Sequence, residues 1–489
     1  MSLARHFLTL FSGRLIAQLI LIISTPILTR LFAPEDFGLI TLVSSITQVP
    51  MILLMGRLDH AIPQSQDDEE AGRLAALSIC WACAMTLLCV LGALASGSWL
   101  AARYHQPELP LILLAAVGLF LPAAIAQLGK QWAAYRERHG VTASADVILT
   151  ASRRLSPIAI YHIWGAGPWP LFIGQALGVT AGALTFIARL GRDIYAQLSF
   201  SPRALWQTLV TYRDFPLFLS SSSLFDILAW SALSILLGDF FGLDAVGWFG
   251  QTHALLFLPI SLLNQASTNI FYPRLAQARG DSAEMSRLLK RMVNLSFDLG
   301  WYPLWVLLPL APSLWGLLLG EAFYTSGEIA QVLIPMGIAN VIFSPVSVSI
   351  NVFHKQRAYF WQAISLNVAR TVGLYLGCLS SHLLLALGIY AAVTAGARVV
   401  QLSWLLGLGG VDLRRVVEGV WVKGLYTLSV GLIVWIIAPT DPSAETMWSS
   451  LSLALGVAVS GGLGWLWLIT RYNPDAKALI ARLRSRSGP

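Results

Sequence analysis

Residues 28–62 read LTRLFAPEDFGLITLVSSITQVPMILLMGRLDHAI. The stretch opens on the end of one apolar run, turns through Ala33-Pro34-Glu35-Asp36 and re-enters a second apolar run at Phe37-Gly38. That run leaves through Gly56-Arg57-Leu58-Asp59, and Asp67-Asp68-Glu69-Glu70 follow, acids that must face water. Two long apolar segments joined by a few polar residues make a transmembrane hairpin. The hairpin recurs 209 residues further on. The frame L-x-x-x-F-small-x-acid-x-x-G fits Leu28, Phe32, Ala33, Glu35 and Gly38, then Leu237, Phe241, Gly242, Asp244 and Gly247. The same helix–turn–helix is therefore expected at the head of two related halves.

Working outward, 56% of the 489 residues are hydrophobic and 12% are charged, and mean hydropathy is +0.68. Soluble domains carry about 25% charged residues, so this is a polytopic all-α membrane protein. Fourteen spans are expected, at about 7–31, 36–56, 74–99, 109–133, 145–164, 168–189, 215–238, 245–272, 292–318, 328–353, 358–379, 382–406, 418–438 and 447–470. The first is too long for a signal peptide and lacks a cleavage pattern. Spans one to six form an N-lobe, residues 1–190, and spans seven to twelve a C-lobe, 215–406. Residues 191–214 join them through an interfacial helix that starts at Pro202, 407–470 hold the two extra spans, and 471–489 are a basic tail. Each half has an even number of spans, so a pseudo-two-fold along the membrane normal should relate them.

Basic residues crowd the connections on one side, among them Arg136, Arg192, Arg213, Arg287, Lys355, Arg414 and Lys423, while the other side keeps only Arg30 and Arg103. By the positive-inside rule both termini are cytoplasmic.

What is missing excludes several classes. There is no G-x-x-x-x-G-K-[ST] loop, no H-E-x-x-H and no G-x-S-x-G, so no nucleotide hydrolase, zincin or serine hydrolase is encoded through those devices. The eight histidines form no metal spacing, and Cys80-x-x-Cys83 falls inside a span, where it reads as ordinary packing. No cofactor, metal or nucleic acid is called for. The outside loops are too short for an enzyme of envelope synthesis. Transport is the class that survives.

Charges inside spans mark functional candidates. Five are basic: Arg14, Arg153, Arg154, Arg370 and Arg398. The pair at 153–154 lies about eight residues into its span, roughly 12 Å deep. Intramembrane acids are fewer, with Asp226 and Asp298 inside spans and Asp146 near an end. A cavity rich in arginine suits phosphate, because the guanidinium fork matches phosphate oxygens and stays charged. The five arginines are read as a diphosphate clamp. Arg57 and Asp59 are gate candidates, and Asp226 and Asp298 are candidates for ion coupling.

Pro26 to Leu39 (PILTRLFAPEDFGL), Gly56 to Ile62 (GRLDHAI) and the acidic run Asp67 to Ala71 together resemble the start of bacterial polysaccharide flippases. These are the Wzx-type branch of the multidrug/oligosaccharidyl-lipid/polysaccharide exporter superfamily. The resemblance implies two helical lobes around a cavity that opens alternately to each side of the inner membrane. It implies an undecaprenyl-diphosphate-linked oligosaccharide as cargo, moved to the periplasmic leaflet for surface polysaccharide such as the O-antigen of lipopolysaccharide. A polysaccharide polymerase and a chain-length regulator are the protein partners it implies, and in related lipid II flippases the two extra helices hold the lipid tail. The alternatives are a cation-coupled drug exporter of the same superfamily and a membrane-embedded ligase or polymerase.

Overall fold

The computed structural model describes residues 3–213, 220–438 and 444–472. Among them every regular element is helical, and each expected span falls on a helix. In chain order these are α1 (Leu3–Leu31), α2 (Pro34–Leu53), a 3-10 turn (Leu58–Gln64), α3 (Asp68–Tyr104), α4 (Leu109–Gly118), α5 (Phe120–Tyr135), α6 (His139–Trp164), α7 (Pro168–Gln197), α8 (Pro202–Thr211) and α9 (Ser220–Gln277). Then follow α10 (Ser282–Leu319), a 3-10 turn (Glu321–Phe323), α11 (Tyr324–Ser347), α12 (Ser349–Val352), α13 (Gln356–Cys378), α14 (Leu383–Leu408), α15 (Leu413–Ile437) and α16 (Ala444–Tyr472). Among the described residues ten helical segments are long and apolar enough to cross a membrane. The outer surface carries exposed Ile163, Val400, Ile436 and Leu463, as a chain solvated by lipid requires. The protein is a multi-pass membrane protein.

Local chemistry sets the element ends. Pro34 opens α2 where a missing N–H costs nothing, and the Asp36 carboxylate accepts from the Ala33 N–H at 3.0 Å. The acidic run is the first turn of α3 and not a loop. Asp67 caps it by accepting from the Glu70 N–H at 2.7 Å, and the acids that follow face the positive end of the helix dipole. The expected fourth span is broken into α4 and α5 after Gly118. Pro122 has no N–H for the Gly118 carbonyl and its ring crowds that oxygen, so the helix re-forms one residue later. Span six runs on to Gln197, and α10 starts at Ser282, where Asp281 accepts from the Ala283 and Glu284 N–H groups at 3.0 Å. The connection expected at 273–291 thus shrinks to a few residues.

Spans seven and eight are one element, α9, interrupted at Gly242, whose φ of 83° and ψ of 177° no other residue type adopts cheaply. This is the second copy of the hairpin turn.

The chain divides into two compact units, Met1–Gly250 and Gln251–Pro489. In the first, the two copies of the motif meet. A Cβ on Gly38 would overlap the Leu243 carbonyl, and a Cβ on Gly247 would overlap the Pro34 carbonyl. Leu243 is the 209-residue counterpart of Pro34, and Gly247 that of Gly38. Each copy therefore makes the same contact on the other, the signature of a local two-fold. Gly250 packs on Thr41, its own counterpart, with 3.8 Å between Thr41 Cβ and the position a Cβ would take. Also in this unit, α7 presents Gly174, Gly178 and Gly182 to Pro157, Arg153 and Leu149 of α6. That small-xxx-small stripe lets two helices approach closely without a hydrophobic driving force. Beside it, α8 docks through Tyr212, whose hydroxyl donates to Glu70 at 2.6 Å, and leaves Trp206 and Val210 exposed.

In the second unit α10 is the hub. Phe297, Tyr302, Val306 and Leu310 pack against Val420, Val430 and Val434 of α15 and Leu451, Ala454 and Trp465 of α16. Tyr302 stacks on Trp465 with ring centres 5.5 Å apart. The two extra spans are thus built into this unit. Lys423, expected in a polar connection, lies inside α15 and is buried. Cys80 and Cys83, expected to be packed, are exposed on α3.

Candidate substrate-binding site

The charges inside the helices sort into two kinds. Lysines take the acids. Lys130 of α5 meets Asp146 of α6 at 2.8 Å. Lys423 meets Asp298 at 2.6 Å with side chains 6% and 2% exposed, and Trp465 Nε1 donates to the Asp298 carbonyl at 3.0 Å. The reading of Asp298 as a coupling group therefore meets a carboxylate already neutralised by a partner that sequence inspection had placed elsewhere.

Arg136 and Arg103 also take acids, Asp68 with Asp193 and Asp239, but the candidate arginines that are described are held without carboxylates. Among the described residues Arg153 and Arg154 of α6 have no acidic partner. The Cα and Cβ of Arg153 pack on Gly178, and its side chain emerges exposed. In the second unit Arg398 of α14 donates to Asn340 Oδ1 at 3.0 Å and to Gln401 Oε1 at 2.7 Å and lies over the Phe343 ring at 4.7 Å. Arg370 of α13 sits over the Tyr390 ring at 5.7 Å, and its buried Nε finds no acceptor among the described residues. Neutral amides and aromatic faces orient a guanidinium but leave its charge in place. Arg14 is in α1, and its side chain lies outside the described residues. Asp226 is exposed on α9. The helices α6 and α13, which carry three of these arginines, are absent from the ten segments apolar enough to span by composition.

Arg57 and Asp59 occupy a corner at the end of α2. Gly56 and Arg57 both take positive φ, 58° each, which stops the helix and turns the chain back inward. Trp81 of α3 donates to the freed Leu53 carbonyl at 3.0 Å. Leu58, Asp59, Ala61 and Ile62 are then buried, so GRLDHAI is a packed corner and not a solvated end. Asp59 accepts from Gln127 of α5 at 3.1 Å, and burial pushes its carboxyl above the usual range. His60 was not singled out in the sequence, yet it joins Arg57 to Gln131 of α5.

The all-helical arrangement defines a class, the transporter fold shared by lipid flippases and multidrug exporters. A solved structure of the lipid II flippase MurJ in an inward closed conformation matches it with a TM-score of 0.73, 11% identity, and coverage of 96% of this chain and 99% of that one. An inward-facing multidrug resistance MATE family transporter of the MOP superfamily matches with a TM-score of 0.64 and 16% identity, covering 81% and 94%. Residues 27–328 match the family described as polysaccharide biosynthesis protein, and the chain belongs to that family. It is similar to the teichuronic acid biosynthesis protein TuaB of Bacillus subtilis (strain 168), at 23% identity over 78% of each chain. It is also similar to the succinoglycan biosynthesis transport protein ExoT of Rhizobium meliloti (strain 1021), at 21% identity over 85% of this chain and 81% of that one.

Proposed function

We propose that the protein is a flippase for undecaprenyl-diphosphate-linked oligosaccharides. It would carry them from the cytoplasmic to the periplasmic leaflet of a bacterial inner membrane by alternating access. Both termini are cytoplasmic in this reading, residues 1–190 and 215–406 are the two lobes, and 191–214 link them. The observation that carries it is the sorting of charge: the intramembrane acids Asp146 and Asp298 go to lysines, while Arg370 and Arg398 are braced by amides and rings. Such arginines attract a permanent anion, and their forks match phosphate oxygens. Arg153, Arg154 and Arg14 are proposed as phosphate-binding residues on the same chemical ground. Family membership and a relative whose name includes transport support the class. Catalysis of bond formation has no such support among the relatives.

The test is export of surface polysaccharide in a host lacking its own flippase, together with flipping of a fluorescent polyprenyl-diphosphate oligosaccharide in vesicles. Arg370→Ala and Arg154→Ala are expected to abolish both while the protein accumulates normally. Lys at either position should recover only part, since it keeps charge and loses the fork. Full activity of both Ala variants would refute the clamp. Loss of activity on replacing Asp226 alone would favour the cation-coupled exporter.

A further inference from the structure

The corner at the end of α2 holds a titratable cluster that the transport reading leaves unused. Arg57 Nη1 is 2.9 Å from His60 Nε2. A guanidinium can only donate, so Nε2 accepts and the imidazole is neutral, with its proton on Nδ1. That proton faces the side-chain amide of Gln131 at 3.3 Å. An amide oxygen there completes the bond, since the two ends of an amide are assigned by their partners. Asp59 Oδ2 stands 3.8 Å from the same Nε2. Asp59 is 1% exposed and its other contact is the Gln127 amide at 3.1 Å.

Nε2 thus lies between a cation that needs its lone pair and an anion that would welcome its proton. Both arrangements are incomplete. In the one observed, Arg57 Nε is buried with no acceptor among the described residues, Arg57 holds a left-handed backbone that a non-glycine residue adopts only at a cost, and the Asp59 carboxylate is buried with neutral hydrogen-bond donors. Among the described residues α5 brings the neutral Gln127 and Gln131 against the corner and α3 the neutral Trp81, while Lys130 and Arg136 of α5 and Arg73 of α3 are held by Asp146, by Asp68 with Asp193, and by Glu69. Arg57 and Asp59 are the charged groups that act on His60.

We propose that Arg57, Asp59 and His60 form a proton-binding site in which His60 Nε2 takes the proton. Uptake from water converts the imidazole to imidazolium, which can no longer accept from Arg57. The new N–H turns to Asp59, and the buried carboxylate gains the cation it lacks. Arg57 loses the contact that holds its strained backbone, so the turn at 56–62 opens more often. The site follows the last turn of α2, and the first turns of that helix carry Gly38, where the two motif copies meet.

Hydrogen exchange of the full-length protein in nanodiscs tests this, read on peptides covering 54–66 and corrected for the intrinsic pH dependence of amide exchange. Exchange should rise by about tenfold on acidification, the factor that one unit of pK linkage supplies. His60→Gln should remove the step. Asp59→Asn should move it to lower pH, because the imidazolium loses its anion. A wild-type protein with no step overturns the proposal, as does a step that survives His60→Gln. A step that ignores Asp59→Asn reduces the site to a lone histidine and overturns it too. Lipid flipping is not the readout, so failure here and failure of the flippase reading are distinguishable.

Discussion

Lys423 and Arg370 are both cations in apolar helices, and their neighbours set them apart. Lys423 is sealed against Asp298, so removing one partner leaves the other charge buried and uncompensated. Lys423→Ala or Asp298→Ala should each destabilise the protein by about 3–5 kcal/mol, whereas Lys423→Met with Asp298→Leu should cost far less, because no charge remains to be desolvated. Thermal unfolding of the detergent-solubilised variants measures both. Equal losses in the single and double variants would mean that packing and not charge holds α15 to α10. Arg370 has no such partner to abandon. Its Ala variant should unfold close to wild type and fail only in transport.

At the scale of an element, the α6–α7 contact explains how an arginine can be both structural and available. Gly178 leaves the Cα and Cβ of Arg153 a place to pack, and the rest of the side chain extends away from the contact. Filling that place should move α6 and carry both arginines with it. Gly178→Leu is expected to cost about 1–3 kcal/mol, the usual range for overpacking, and to reduce export as far as Arg153→Ala does, although no arginine is lost. Complementation alongside thermal unfolding checks it. Export at wild-type level from Gly178→Leu would detach the arginines from this packing.

For the molecule as a whole, the prediction concerns the local two-fold relating the motif copies. Thr41 and Gly250 are counterparts that touch, and the 3.8 Å Cβ separation there equals the mean found across disulfides. Thr41→Cys with Gly250→Cys, in a background where Cys80, Cys83, Cys89 and Cys378 are alanine, should cross-link on oxidation. Intact-mass loss of two hydrogens, with protection from alkylation, reports it. A control pairing Gly250→Cys with Ser44→Cys should stay reduced. Failure of the 41–250 pair to close would remove the two-fold.

Much of this was written in the chain itself. Hydropathy marks most spans because a bilayer enforces it segment by segment, with no appeal to distant residues, while α6 and α13, which carry three of the arginines, fall below that mark. The repeat survives as L-x-x-x-F-small-x-acid-x-x-G because both copies must turn at the same place, and Gly242 and Pro34 perform that turn by local backbone chemistry. The excess of arginine over acid also needed only counting. Partners did not follow from any of this. Lys423 lies 125 residues from Asp298, and hydropathy says nothing about which faces of two helices meet, since rotation about a helix axis is set by the neighbour it packs against. For the same reason His60 looked like one more polar residue after a span. Only the inward turn at Gly56 and Arg57, closed by Trp81 from α3 and by two glutamines from α5, makes it the centre of a half-buried cluster around Asp59.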